Sequence, residues 1–506
     1  MLDGNSMTTV PTAPKPITLA MTPPRAVATA FGGLLAVAAG IGIGRFVYTP
    51  ILPPMVEALG LSKSQAGLIA SANFLGYLLG ALLAALPTLP GARRTWLLAA
   101  LALSAVTTAA MGVSATLPAF LVLRFVGGIA SAFVLILAST EVLEHLVEIR
   151  RRGLSALHFA GVGSGIAVSA ALVATLLRLG QPWQNLWLAS GALSLAAVLA
   201  VAALLPGRAA PTRPLRPPQE AVLDPDLRRL IIAYGLFGFG YIITATFLVA
   251  IVRGTPAISA LEPVIWIVFG LAAAPSIALW SRIAGRFGIP SAFALACLVE
   301  AAGVLASIAW PTPGGVLLAA VLVGGTFVGI TALGLVRAQA LVTGDPRRAL
   351  ALMTCAFGLG QIIGPLFAGI VSDRLGDFTL PSVVAVAALL AAAVLARQRG
   401  SAERHATRKA EPLPIVIIRV LTCSRFAKKM TDRGNHGHLH ACHGRHQRSR
   451  QGSRILRRRA GAARAEATKG SWRSRLVLGR DDRGIHRVDP SRREPRDLCQ
   501  WRHGQL

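Results

Sequence analysis

Arg124 interrupts LPAFLVLRFVGGIASAFVLIL, a stretch from Leu117 that is otherwise suited to hydrocarbon. A guanidinium stays charged there, at a cost of about 2.5 kcal/mol or more unless it meets a partner or a water-filled cavity. Arg124 can therefore bind a ligand's anionic group, modulate a nearby proton site, or hold helix carbonyls. Arg45 offers the same ligand chemistry, or snorkels to the membrane interface. Asn73 suits an interhelical hydrogen bond or a ligand contact. Glu300 is the only carboxylate deep in an apolar run, and a group that takes up and releases a proton at that depth can carry it part of the way across. His158 has proton chemistry too, or a structural hydrogen bond. Gln361 lies beside Gly360 and ahead of Gly364 and Pro365, where a helix can bend. Tyr241 and Trp266 suit either cavity lining or plain packing.

Such side chains need helices that cross a bilayer. Of 506 residues 54% are hydrophobic and only 14% charged, against about 25% charged in soluble domains. Apolar windows of about 20 residues, enough for roughly 30 Å of hydrocarbon, fall at 27–48, 66–86, 95–116, 117–140, 155–177 and 185–205. A second set follows at 229–252, 261–281, 289–310, 314–336, 350–371 and 380–397. The runs are rich in Leu, Ala, Val and Gly without two-residue alternation, which favours helices over an outer-membrane barrel. The expectation is an all-α integral membrane protein with twelve transmembrane helices in two six-helix bundles, 27–205 and 229–397. Residues 1–26 precede them, and the polar, proline-rich segment 206–228 links them.

Lys and Arg accumulate on the cytoplasmic side of membrane proteins. Arg93 and Arg94 separate the second and third windows, Arg150 to Arg152 the fourth and fifth, and Arg208, Arg213, Arg216, Arg228 and Arg229 the two sets. Arg282 and Arg286 separate the eighth and ninth, and Arg337, Arg347 and Arg348 the tenth and eleventh. The other loops carry one basic residue at most, among them Lys63, Arg178, Arg253 and Arg374. Both termini are expected in the cytoplasm. The first window, about 22 residues long, exceeds the apolar core of a cleaved signal peptide, and losing it would upset this alternation.

The halves also look like copies. Val126-Gly127-Gly128 repeats as Val323-Gly324-Gly325, and Gly161-x-Gly163 as Gly358-x-Gly360, both at an offset of 197 residues. A shared offset favours a duplicated six-helix unit.

These features resemble the major facilitator superfamily over residues 27–397. Arg124-Phe-Val-Gly-Gly128-Ile-Ala-Ser-Ala looks like its arginine-containing fourth-helix motif. Ser281-Arg282-x-x-Gly285-Arg286-Phe-Gly288 looks like its cytoplasmic gating loop, with Ser281 in place of the usual aspartate. The loop from Leu86 to Arg93 and Arg94 is similar and also lacks an acid. Two longer stretches, Gly42-Ile-Gly44-Arg45-Phe46-Val-Tyr48-Thr-Pro50-Ile-Leu-Pro53-Pro-Met55 and Ala72-Asn73-Phe-Leu-Gly76-Tyr77-Leu-Leu-Gly80-Ala81, resemble the YbfB/YjiJ-type subfamily.

The resemblance implies a bacterial inner-membrane transporter. It gives Arg93, Arg94, Arg282 and Arg286 a gating role without the usual charge pairs, and makes the ninth helix, which carries Glu300, a peripheral one. At 1.5 Å per residue, Arg124 lies roughly 10 Å below the outer boundary. Arg45 is expected near the outer end of the first span and Asn73 in the outer half of the second, so the three can form one polar cluster. His158 falls near the cytoplasmic end of the fifth.

Residues 398–506 differ in character. They hold 27 Lys and Arg against 9 Asp and Glu, +18 of the chain's +29, and 8 of its 10 histidines. Such a segment is expected to be disordered and to meet anionic lipid headgroups; its composition is also what a GC-rich gene yields in another reading frame. Its histidines and Cys442 match no established zinc finger. No metal, cofactor, enzyme activity or specific nucleic-acid partner is expected, and no G-x-x-x-x-G-K stretch points to ATP. The leading expectation is a monomeric secondary transporter of a small organic solute or drug, driven by the proton gradient. The alternative is a transporter-like sensor or assembly factor that moves nothing.

Overall fold

The computed structural model describes residues 23–84, 91–148, 154–205, 224–342 and 347–397; the basic C-terminal segment and most of the linker lie outside them. The first half holds α1 (Pro23–Val37), α2 (Tyr48–Leu59), α3 (Lys63–Ala84), α4 (Arg93–Ala110), α5 (Leu117–Glu148), α6 (Ser155–Arg178) and α7 (Trp183–Leu204). The second holds α8 (Pro225–Arg253), α9 (Glu262–Ala273), α10 (Ser276–Phe287), α11 (Ile289–Ala309), α12 (Pro313–Leu341), α13 (Arg347–Leu375) and α14 (Thr379–Arg397). Among the described residues there is no strand. Among the described residues eleven helical spans are long and apolar enough to cross a membrane, and α9 with α10, bent by 44°, makes a twelfth if taken as one span.

The first span departs most from its expected limits of 27–48. It runs over Ala26–Leu59, and a π-helical stretch, Ala38–Ile43, separates α1 from α2. Within it the amides of Gly44 and Phe46 reach back five residues to Ala39 and Ile41. Thr49 N then bonds to Phe46 O instead of to the carbonyl of Arg45. Pro50 falls in the first turn of α2, where a missing N–H is tolerated, so the helix continues past it. The polar linker ends earlier than expected, because Asp224 caps α8 through the amide of Asp226 at 2.9 Å. Arg282 and Arg286 lie on α10, and Arg93 and Arg94 in the first turn of α4, not in loops.

Within the first half α3 and α4 pack on α5, α4 on α7 and α1 on α6; within the second α8 packs on α13 and α14, α11 on α12 and α14, and α9 on α12. The halves meet along α3 against α13 and α6 against α9, with α2 touching α8. Small residues set this interface, since apolar burial supplies no drive in lipid. A Cβ on Gly67 would collide with the carbonyl of Pro365 across the interface, so backbone meets backbone there.

The 197-residue repeat is visible in the packing but not in register. In α6, Gly161 abuts Leu34 of its own half and Gly163 abuts Ala274 of the other. In α13 the order is reversed: Gly358 faces Leu78 across the interface, and Gly360 faces Gly235 within its own half.

Candidate functional site

Arg124 is buried, and both terminal nitrogens of its guanidinium are taken. They donate to the carbonyls of Gly44 at 3.0 Å and Arg45 at 2.9 Å. The break in the first span leaves the Arg45 carbonyl without its helical amide, and irregular backbone at this depth must be satisfied by protein. The ring of Tyr48 lies 5.1 Å from the same guanidinium. Asn73 Nδ2 donates to the carbonyl of Arg124 at 2.8 Å, which ties α3 to α5. Of the roles open to Arg124, its contacts are those of the carbonyl holder, and Asn73 has the expected interhelical bond.

Arg45 does not sit near the end of its span. The span's extension to Leu59 leaves it mid-way, buried, with its carbonyl held by Arg124. Its guanidinium lies 4.3 Å from the ring of Tyr77, 4.6 Å from Phe74 and 5.5 Å from Phe46. Its Nη2 crosses the interface and donates to Gln361 Oε1 at 2.7 Å. Gln361 Nε2 in turn donates to the Tyr241 hydroxyl. Among the described residues no carboxylate pairs with Arg45.

On the side of the second half the site is aromatic. Tyr241 lies nearly parallel to Phe327 (5.5 Å, 9°) and to Phe357 (5.9 Å, 7°). Phe269 continues the stack onto Phe327, and Trp266 stacks on Phe269 at 4.3 Å. Phe46 from the first half meets Phe327 edge-on at 5.8 Å. Arg45, Gln361 and Tyr241 therefore form one centre with Trp266 at the far end of its aromatic stack.

The structure places the other candidates apart from it. His158 is buried against Gly33, its Nε2 3.0 Å from Ser139 Oγ. Glu300 is fully buried on α11, and neither carboxyl oxygen has a hydrogen-bond partner among the described residues. Thr326 on α12 approaches it, but that hydroxyl donates to Leu322 O at 2.7 Å. Arg93 pairs with Glu144 of α5 at 3.0 Å, so the missing acid is supplied from within the same half. Arg94 donates to the carbonyls of Leu205 and Ala202 at the end of α7.

A second polar cluster, which the sequence does not mark, joins the halves at the end of the bundle that carries Lys63. The Asp373 carboxylate at the end of α13 accepts from the amides of Lys63 and Ser64, each at 2.8 Å, and so caps α3 from the opposite half. Lys63 Nζ donates to the carbonyls of Ser372, at 3.2 Å, and Gly376. Arg253 bridges Glu57 of the first half and Glu262 of the second. Thr49 Oγ1 also donates to Ala245 O at 2.9 Å, and Ser71 Oγ to Ile362 O at 2.7 Å, across the two halves.

Two six-helix halves, closed on each other at one end and meeting around a buried polar centre, are the architecture of the major facilitator fold. The chain belongs to the family described as "Uncharacterised MFS-type transporter YbfB", whose model matches residues 37–397. It is 28% identical over 225 residues to the uncharacterized MFS-type transporter YceJ of Bacillus subtilis (strain 168). That match spans 41% of this chain and about half, 54%, of the relative. Among solved structures, a point mutant of the nucleoside transporter NupG superposes with a TM-score of 0.56 at 17% identity, covering 73% of this chain and 98% of that one. A bacterial homologue of the human lysosomal transporter Spinster, inward-facing and occupied, gives 0.53 at 14% identity, covering 76% and 96%. At those identities the likeness is one of fold.

Proposed function

We propose that the protein is a secondary active transporter that moves a small organic solute by alternating access, with Arg45, Gln361 and Tyr241 at its binding centre. The observation that carries this is the bond from Arg45 to Gln361, which joins residues 316 positions apart across the two halves. A solute that displaces it exchanges a contact between halves for contacts to itself, which is the coupling between binding and movement that such a transporter needs. With the basic loops in the cytoplasm, the Lys63 end faces outward. The cluster of Lys63, Asp373, Arg253 and Glu57 is then the outer gate, closed in this structure.

Glu300 is the proposed proton carrier. It is fully buried on α11, and neither carboxyl oxygen has a hydrogen-bond partner among the described residues, which supports a carboxyl that can hold a proton within the span. The experiment is solute-evoked proton movement into dye-loaded proteoliposomes, screened over small organic acids, bases and neutral compounds. Wild type should acidify the lumen with at least one solute. Glu300→Gln should abolish that signal while leaving exchange of the same solute. Exchange without any proton signal in wild type removes the proton, and no movement of any solute removes transport.

A further inference from the structure

The charge balance of the centre, together with its shape, narrows the solute class. We infer that the site, read as a transport site as above, takes a flat organic monoanion: a carboxylate on an aromatic or otherwise planar apolar body. Arg45 binds the carboxylate in exchange for Gln361.

The first step is charge. Arg45 is a buried guanidinium whose polar partner from the opposite half is a neutral amide. An unpaired cation at that depth is costly, and ring faces compensate it only in part. Its Nε has no hydrogen-bond partner among the described residues, so the guanidinium fork is not fully used. A carboxylate can fill two prongs of that fork at once, which one amide oxygen cannot. Gln361 Oε1, held 2.7 Å from Nη2, is thus a neutral stand-in for a carboxylate oxygen.

The second step is valence. Arg124 is close by, but its terminal nitrogens are committed to the carbonyls of Gly44 and Arg45. Arg124 keeps its charge, and its Nε also lacks a partner among the described residues, but only Arg45 has a terminal nitrogen whose partner is a side chain that a solute can displace, so the centre offers one fork for one carboxylate.

The third step is shape. Phe327 and Phe357 each lie within 9° of parallel to Tyr241, and the pile extends through Phe269 to Trp266. Planar apolar groups stack against such faces, whereas a sugar or polyol would lose its hydrogen bonds there. Once Gln361 is displaced, the Tyr241 hydroxyl loses its amide donor and becomes free to bond the second carboxylate oxygen.

The test uses the purified full chain in detergent, with benzoate, the neutral isostere benzamide, and inorganic phosphate as calorimetric probes. Benzoate should bind about 30-fold or more tightly than benzamide, the range for a desolvated charge pair, and phosphate should not compete. Arg45→Gln should remove the preference for benzoate. Because that variant can fail to fold, Gln361→Leu gives an independent result: with the stand-in gone, benzoate affinity should rise. Equal binding of benzoate and benzamide, or a benzoate preference that persists in folded Arg45→Gln, overturns the proposal. Arg45-dependent benzoate binding without movement of any solute into vesicles would instead remove transport and leave the anion site. Movement of a neutral solute by a protein indifferent to benzoate would do the reverse.

Discussion

Arg124 donates to the backbone carbonyl of Arg45 at 2.9 Å, so the guanidinium most conspicuous in the sequence holds in place the one that faces the opposite half. The two arginines have different work. Arg124 repairs a broken helix, and Arg45 keeps a charge available at the interface. Arg124→Ala should therefore lower stability by about 3–6 kcal/mol, the worth of two charge-assisted hydrogen bonds, and lose solute binding as Arg45 moves. Thermal unfolding in detergent checks the first effect. An unchanged melting temperature would contradict the carbonyl-holding role.

Gln361→Glu should lock the halves together. A carboxylate in place of the amide forms an ion pair with Arg45 in a desolvated setting and competes with any anionic solute. Transport should fall at least tenfold, about 1.4 kcal/mol, while the melting temperature holds or rises. A variant that transports normally would show that the Arg45–Gln361 bond need not break in the cycle.

Asp373→Ala removes the cap that the second half places on α3. An N-cap is worth about 1 kcal/mol, roughly a fivefold shift in a two-state equilibrium. Labelling of a cysteine at Ser71, behind this gate, should accelerate by about that factor in a background without the native cysteines. No change would mean that the cluster does not keep this end closed.

Gly67→Val should prevent close approach of α3 and α13. The collision is with the carbonyl of Pro365, which cannot rotate away like the tip of a side chain. Expected are a loss of transport and a cost of about 1–3 kcal/mol, with labelling at Ser71 raised as for Asp373→Ala. A fully active Gly67→Val protein would contradict the packing of the two helices at this point.

Residue type alone made Arg45, Arg124, Asn73, Gln361 and Tyr241 visible, because each is polar or aromatic where hydrocarbon is expected. What each does depends on backbone that composition does not reveal. Arg45 reads as an end-of-span residue because the apolar window closes at 48, yet the helix restarts at Tyr48 and carries Pro50, Pro53 and Pro54 inside. Arg93 and Arg94 read as loop residues short of an acid, since their partners come from Glu144 on α5 and the end of α7. The pairing of Lys63 with Asp373 spans 310 positions and needs the two halves in contact before it has any signature. The aromatic stack was hidden for a similar reason: Phe327 and Phe357 are unremarkable in apolar runs until α12 and α13 bring them to Tyr241.

The central claim is that the halves rock about the contact between Arg45 and Gln361, opening the two ends in turn. Spin-label distances measure this directly, with one pair at Ala58 and Asp377 by the Lys63 end and one at Thr95 and Phe287 by the Arg93 end, all exposed positions. In lipid, wild type should populate two distances for each pair. Removing the outer cap with Asp373→Ala should lengthen the first and shorten the second, and Gln361→Glu should collapse each pair to a single distance. Distances that stay fixed in every variant, or that change in the same direction at both ends, would contradict the account.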